Sequence, residues 1–391
     1  MPAILLPTPN GALEQYTLRG TPLALVKPTR PFSRIVYSAA HVVTNPLRAG
    51  ELNQPAAIDW QRTLDYRRYL LEQGLGIAEA MDTAQRGMGL SWPNALELVS
   101  RTMTETSDIP GALIASGCGT DHLAPNEART CDDVIRAYAL QIEAIQKTGS
   151  RIILMASRAL VNVATSSSDY ERVYREVLSL CDQPVILHWL GEAFDPELAG
   201  YWGASDYPAA SAVCLDIIGA NAAKVDGIKI SLLDAQKEIE FRRRLPASVK
   251  MYTGDDFNYP ALIEGDEAGF SHALLGIFDA IAPAASQALA ALTQGDTERY
   301  HALLDPTVAL SRHIFRTPTQ YYKTGVVFLA YLNGFQDHFF MLGGHHGLRP
   351  PAYLADVLRL ADQSGLLRDP DDAVRRAQRV MAGYGIGESR P

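Results

Sequence analysis

Short apolar runs alternate with amphipathic stretches through most of the chain. RIVYSAAHVV (34–43), GIAEAM (76–81), GALIAS (111–116), RIILMA (151–156), PVILHW (184–189), GIKIS (227–231), VKMYT (249–253) and GFSHALL (269–275) each read as a buried strand. Between them lie helical patterns with recognisable punctuation. Asp59 is placed to cap a helix that runs to Gln73 and stops at Gly74, and Ser91-Trp92-Pro93 opens the next with proline in its first turn. Further helices are predicted over 132–147, 168–180, 207–218 and 234–244, the first stopped by Gly149 and the third by Gly219. After residue 280 the pattern is helical only, with segments at 280–293, 296–315, 320–341, 351–363 and 369–382. Residues 1–33 carry several prolines and one possible hairpin around Leu13–Ala24.

Strands alternating with helices imply a parallel sheet with helical crossovers. The alternating span is close to the ~250 residues of an eightfold barrel. The predicted architecture is therefore α/β, a (β/α)8 TIM barrel over 34–279, with an N-terminal cover segment at 1–33 and a C-terminal helical region at 280–391. Periodicity does not by itself separate a closed barrel from an open doubly wound sheet. A G-x-G-x-x-G after the first strand would favour the open, dinucleotide-binding form, and none is present.

Composition narrows the function classes. The 391 residues are 47% hydrophobic, enough for a sizeable core, and the formal charge of −9 argues against a nucleic-acid surface. Cys118, Cys131, Cys181 and Cys214 form no CxxC pair, so neither a disulfide framework nor a zinc motif is indicated, and a reducing cytoplasm fits. The first residues lack the basic start and long apolar run of a signal peptide. The most apolar later run, 326–332, is too short to span a bilayer, so no membrane partner is expected.

In a barrel, chemistry collects at the carboxyl ends of the strands. The residues there are Tyr37 and His41; Asp82 and Thr83; Gly117 to Thr120; His188 and Trp189; Lys229; and Asp255 and Asp256. Lys229 stands out because it lies between Ile228 and Ile230, and burial favours a neutral, nucleophilic amine that can form a Schiff base. The bland reading is a strand-end lysine whose stem packs while its head reaches water. Bland readings exist for the others too: Asp256 as a helix cap, Thr83 as a turn hydroxyl, His188 as a bonded core histidine.

Four stretches resemble the dihydrodipicolinate synthase and N-acetylneuraminate lyase superfamily of class I aldolases, specifically a divergent, uncharacterised branch of it. They are GIKIS around Lys229, GDD at 254–256, the run from Gly269 to Ala284 continuing into LTQGDTERYHALL, and Ile58-Asp59-Trp60. The likeness spans about residues 34–340. It implies that Lys229 forms the imine. The chain departs from the superfamily after strand two, where Gly-Thr-Thr-Gly-Glu is replaced by Asp82-Thr83-Ala84-Gln85-Arg86-Gly87, and after strand five, where Tyr-Asn-x-Pro is replaced by His188-Trp189-Leu190-Gly191. The reading is a class I Schiff-base lyase, of aldolase or dehydratase type, acting on a small oxo-acid or oxidised sugar. Lys229 and His188 are its catalytic residues, and Thr83, Arg86, Gly119 and Asp255 bind substrate. No cofactor and no metal are expected. The partners expected are a small carbonyl substrate and further copies of the chain, as a dimer or tetramer. The alternatives are a metal-dependent sugar isomerase or epimerase with His188, Asp255 or His272 as ligands, and a non-catalytic sugar-binding barrel.

Overall fold

The structure, a computed structural model, describes residues 1–48 and 57–387. It divides into two compact units. One unit, Arg34–Ala40 with Gly76–Gly276, contains a closed barrel of eight parallel strands. These are β3 (Val36–Ala39), β4 (Gly76–Glu79), β5 (Ile114–Cys118), β6 (Arg151–Leu154), β7 (Val185–Leu190), β8 (Val225–Ser231), β9 (Lys250–Thr253) and β10 (His272–Leu275), with β10 closing on β3. Helices follow the strands, so the fold is a (β/α)8 TIM barrel. In this unit they are α2 (Trp92–Glu105), α3 (Cys131–Lys147), α4 (Arg158–Val163), α5 (Ser167–Ser179), α6 (Tyr207–Ala220), α7 (Ala235–Arg242) and α8 (Tyr259–Glu264). Among the described residues no helix is long and apolar enough to cross a membrane.

Every sequence-predicted barrel strand exists; five have ends within two residues of those expected, and three differ by more. The first is confined to β3, because the chain leaves the barrel ladder after Ala39. The third begins at Ile114 rather than Gly111, whose φ of +72° belongs to a turn, and it extends to Cys118 because Gly117 and Cys118 pair with Ile153 and Leu154. The eighth begins at His272, since Gly269, at φ +142°, closes a bridge to Asp266. Successive strand side chains point to opposite faces. Tyr37, Ala39, Ala78, Ala115, Ile153, Ile186, Tyr252 and Leu274 fill the barrel interior, joined by Met81 from beyond β4.

The other unit comprises Met1–Ser33, His41–Leu75 and Ile277–Pro391. Its hairpin pairs β1 (Ala3–Pro7) with β2 (Leu13–Thr17), so the hairpin lies earlier than the sequence suggested. Helix α1 (Trp60–Glu72) starts where expected, with Asp59 accepting from the Arg62 amide at 3.1 Å. The C-terminal helices are more broken than their pattern. They are α9 (Ile277–Ala280), α10 (Ala282–Thr293), α11 (Thr297–Leu304), α12 (Val308–Ile314), α13 (Lys323–Leu332), α14 (Pro351–Gln363) and α15 (Pro370–Ala382). Pro306 interrupts the segment predicted at 296–315, and α13 stops before Gly334, at φ +75°, instead of running to residue 341. Phe339 folds back from the following loop onto the Phe328 ring, at 5.1 Å between centroids.

Candidate active site

Strand β8 carries the site's nucleophile candidate. Gly227, Lys229 and Ser231 share one face, while Ile228 and Ile230 take the other. On the neighbouring strand β7, Ile186 points into the barrel core, and so, two residues later, does His188; Trp189 faces outward, stacked on Tyr207 of α6. His188 and Lys229 are direct partners across the β7–β8 ladder, and both are buried, at 2% and 5% exposure. The His188 Nε2 atom lies 3.2 Å from the Ser231 Oγ.

The loop after β9 explains the Gly-Asp-Asp sequence. A Cβ placed on Gly254 would sit 2.3 Å from the Ser231 Oγ, 2.7 Å from the Ile230 carbonyl and 2.8 Å from the Lys229 Cε. Glycine is thus required for the lysine stem and Ser231 to occupy their places beside this loop. The Gly254 amide donates to the Ile230 carbonyl at 2.8 Å, which fixes the loop against β8. The two aspartates then divide their roles. Asp255 turns back on its own loop, accepting from the amides of Phe257 (2.8 Å) and Asn258 (3.0 Å) and from Asn258 Nδ2 (2.8 Å). Asp256 is buried and acts electrostatically on Lys229.

Charge in this cluster is finely opposed. Burial pushes the Lys229 amine below its ordinary value, and the carboxylates of Asp82 and Asp256 hold it up against that pressure. His188 is driven well below its usual range, first by burial and then by the positive charge of Lys229, with Asp82 opposing. Neutral imidazole is therefore the form favoured at neutral pH. It can take a proton through a ring nitrogen that is not protonated.

The residues expected to bind substrate are not all brought to the lysine. Thr83 is buried in the single helical turn Asp82–Ala84 that follows β4, beside Asp82. Arg86, expected to bind substrate, has an acceptor for every N–H of its guanidinium. Nε and Nη2 bridge Asp121 at 2.7 and 2.8 Å; Nη1 reaches the carbonyls of Ala80 and Gly117; Nη2 also reaches Gln141 Oε1 at 2.7 Å. This arginine ties the loop after β4 to the loop after β5 and to α3. Gly119 belongs to the same strut, its amide donating to Gln141 Oε1 at 2.8 Å. Asp255 is bound within its own loop. Asp82 and Asp256 stood among the strand-end candidates, and Ser231 and Gly254 within the quoted stretches, but none of the four was given a role. Ser231 was findable, since it lies two positions from Lys229 on a strand of period 2, but the division of labour between Asp255 and Asp256 has no sequence signal.

The metal alternative loses its ligand set. His272 accepts the Ile35 amide through Nδ1 at 3.0 Å and packs on Tyr252 and Phe270. Among the described residues no group of three or more His, Cys, Asp or Glu side chains is placed to hold a metal ion. His41 of the other unit, also considered at the sequence level, is fully buried with Nδ1 against both Asp279 carboxylate oxygens, at 3.0 and 2.9 Å.

Comparison with known proteins gives one family and a set of folds. The family profile described as protein of unknown function (DUF993) matches residues 4–386. Among solved structures, YagE, a prophage protein of the dihydrodipicolinic acid synthase family from E. coli K12 in complex with pyruvate, superposes with a TM-score of 0.67 at 13% identity, covering 85% of this chain and 99% of its own. Dihydrodipicolinate synthase from Aquifex aeolicus gives 0.64 at 11% identity, with 85% and 99% coverage. The enzyme from Oceanobacillus iheyensis gives 0.57 at 16%, with 90% and 97% coverage. No curated protein matches by sequence. At these identities the likeness is one of fold.

Proposed function

This chain belongs to the DUF993 family, and on that footing we propose that its barrel is a Schiff-base lyase of the aldolase or dehydratase type. The observation that carries the reading is Lys229: a buried amine on the inner face of β8, held off its ordinary protonation, in ladder register with a neutral histidine. The barrel shared with dihydrodipicolinate synthase structures supports it by analogy of fold.

The chemistry follows from these groups. The neutral Lys229 amine adds to a substrate carbonyl, and loss of water gives a protonated imine. In the retro-aldol (cleavage) direction, His188 takes the proton of the hydroxyl on the carbon beyond the imine's neighbour. The carbon–carbon bond between them breaks, its electron pair entering the imine to form an enamine, and an aldehyde leaves. In the dehydratase variant His188 instead takes a proton from the carbon next to the imine, giving the enamine; its electron pair then expels the hydroxyl one carbon further on, which takes that proton back from His188 and leaves as water, and an unsaturated imine remains. Ser231, 3.2 Å from His188 Nε2, orients the ring or relays the proton.

Borohydride reduction in the presence of a carbonyl substrate tests this. The wild type should gain one reduced adduct by intact mass, and Lys229→Ala should lose both adduct and turnover while keeping its circular dichroism. A Lys229→Ala protein with full turnover would refute the proposal. A cytoplasmic dimer or tetramer belongs to the same proposal. Sedimentation showing only monomer at micromolar concentration would refute the assembly.

A further inference from the structure

We propose that the substrate is an uncharged, hydroxylated carbonyl compound, such as a keto- or aldo-sugar, and not an anionic 2-oxo acid, because two carboxylates, in the turn after β4 and the loop after β9, stand at the same rim as the imine lysine while the cations on the neighbouring strand-to-helix segments are paired elsewhere or exposed. This deepens the Schiff-base reading and rests on it.

Lys229 has Asp82, from the turn after β4, and Asp256, from the loop after β9, within electrostatic reach. Among the described residues, the segments that follow β4 to β9, up to the first residue of the next helix, carry three cationic side chains: Arg86, Arg129 and Arg158. Every N–H of Arg86 is occupied by Asp121, Gln141 and two carbonyls, with Asp121 held ionised against its partial burial by this pairing. Arg158 is bonded to Asp195 at 2.7 Å and lies 3.4 Å from Glu197. Arg129 is exposed just before the start of α3.

A 2-oxo acid would bring a carboxylate adjacent to the reacting carbonyl, where two protein carboxylates already act and no paired guanidinium is released to meet it. Burying an uncompensated charge there is costly. A cationic substrate fails for the opposite reason: the imine itself becomes a cation, and a second positive charge beside it would be repelled. A neutral polyol satisfies both conditions. Its iminium supplies the single positive charge that Asp82 and Asp256 complement, and its hydroxyls can donate to the carboxylate oxygens and to Ser231.

The test compares reductive trapping of the wild-type protein by dihydroxyacetone and by pyruvate, each rate divided by that of the same probe with a free lysine amide. The normalised rate for dihydroxyacetone should exceed that for pyruvate by at least about tenfold, the scale set by one charge–charge interaction over several ångströms at an effective dielectric near 20. Asp82→Asn should narrow the ratio, because it relieves repulsion felt only by the anionic probe; a change in lysine basicity acts on both probes and cancels. Equal or faster trapping by pyruvate, or a ratio unmoved by Asp82→Asn, would overturn the substrate assignment while leaving the Schiff base standing. Failure of both probes and of longer aldoses to leave any adduct would instead remove the Schiff-base reading, and this inference with it.

Discussion

A single lysine is given its chemistry by the few atoms around it. Because the Lys229 amine is held below its ordinary value by burial, the rate of imine formation should rise with pH and level off below the ~10.4 of a free lysine. Asp82 raises that value, so Asp82→Asn should move the plateau to still lower pH, which a pH–rate profile of trapping would read directly. Gly254→Ala would force a methyl against the Ile230 carbonyl, the Ser231 hydroxyl and the Lys229 stem. We expect a loss of roughly 1–3 kcal/mol in stability and a larger loss in trapping rate, measurable by denaturant titration alongside the trap. His188→Ala should slow turnover yet still allow trapping, since the histidine is assigned proton transfer and not attack. The lysine was legible in the sequence because a lone cation between two isoleucines contradicts its surroundings. The roles of Asp82 and Asp256 were not, because a carboxylate at a strand end serves equally well as a helix cap, a turn former or a field source until its donors are seen.

At the scale of elements, the loops are held by buried polar struts. Arg86 fastens the loops after β4 and β5 to Gln141 of α3. Arg86→Ala would strip several buried acceptors of their donor and should cost on the order of 3–5 kcal/mol, with a matching fall in melting temperature. Arg86→Lys should recover little of it, since one ammonium cannot reproduce the planar fork. A second strut joins α7 to the sheet: Glu238 accepts from Thr253 Oγ1 at 2.9 Å and Ser271 Oγ at 2.7 Å. Burial raises this carboxyl to about 8. The unfolded chain releases the proton near the usual ~4.3, so the native state holds more protons between those values. The stability contributed by neutral Glu238 is full below the lower value and is lost as pH rises through the upper one, by at most about 1.4 kcal/mol per pH unit in between. Glu238→Gln should flatten that slope in denaturation curves taken from pH 5 to 9. An unchanged slope would show that the carboxyl is ionised in the folded state.

Over the whole molecule, the order of the strands and of the longer helices was readable, because each barrel strand is an apolar run bounded by turn residues and the longer helices between them are amphipathic; the short helix α4 was not. Closure was not readable from the runs alone; it rests on the pairing of β10 with β3. The C-terminal segments were drawn too long because apolar periodicity continues across Pro306 and Asn333-Gly334, where the backbone turns. The same region holds a buried lysine that the barrel-based reading did not weigh, Lys323, 4% exposed at the start of α13 and bonded to the Gln320 carbonyl at 3.3 Å. The barrel's other lysines lie near carboxylate or carbonyl acceptors: Lys147 with Glu143, Lys224 with the Cys181 carbonyl, Lys237 with Asp234 and Lys250 with Asp226. Residue-resolved mapping of the reduced adduct across every lysine of the chain is therefore the most direct test of the central claim. The adduct should fall on the peptide containing Lys229 alone, with Lys323 and the paired lysines unmodified; an adduct on Lys323, or one spread over surface lysines with Lys229 untouched, would contradict it.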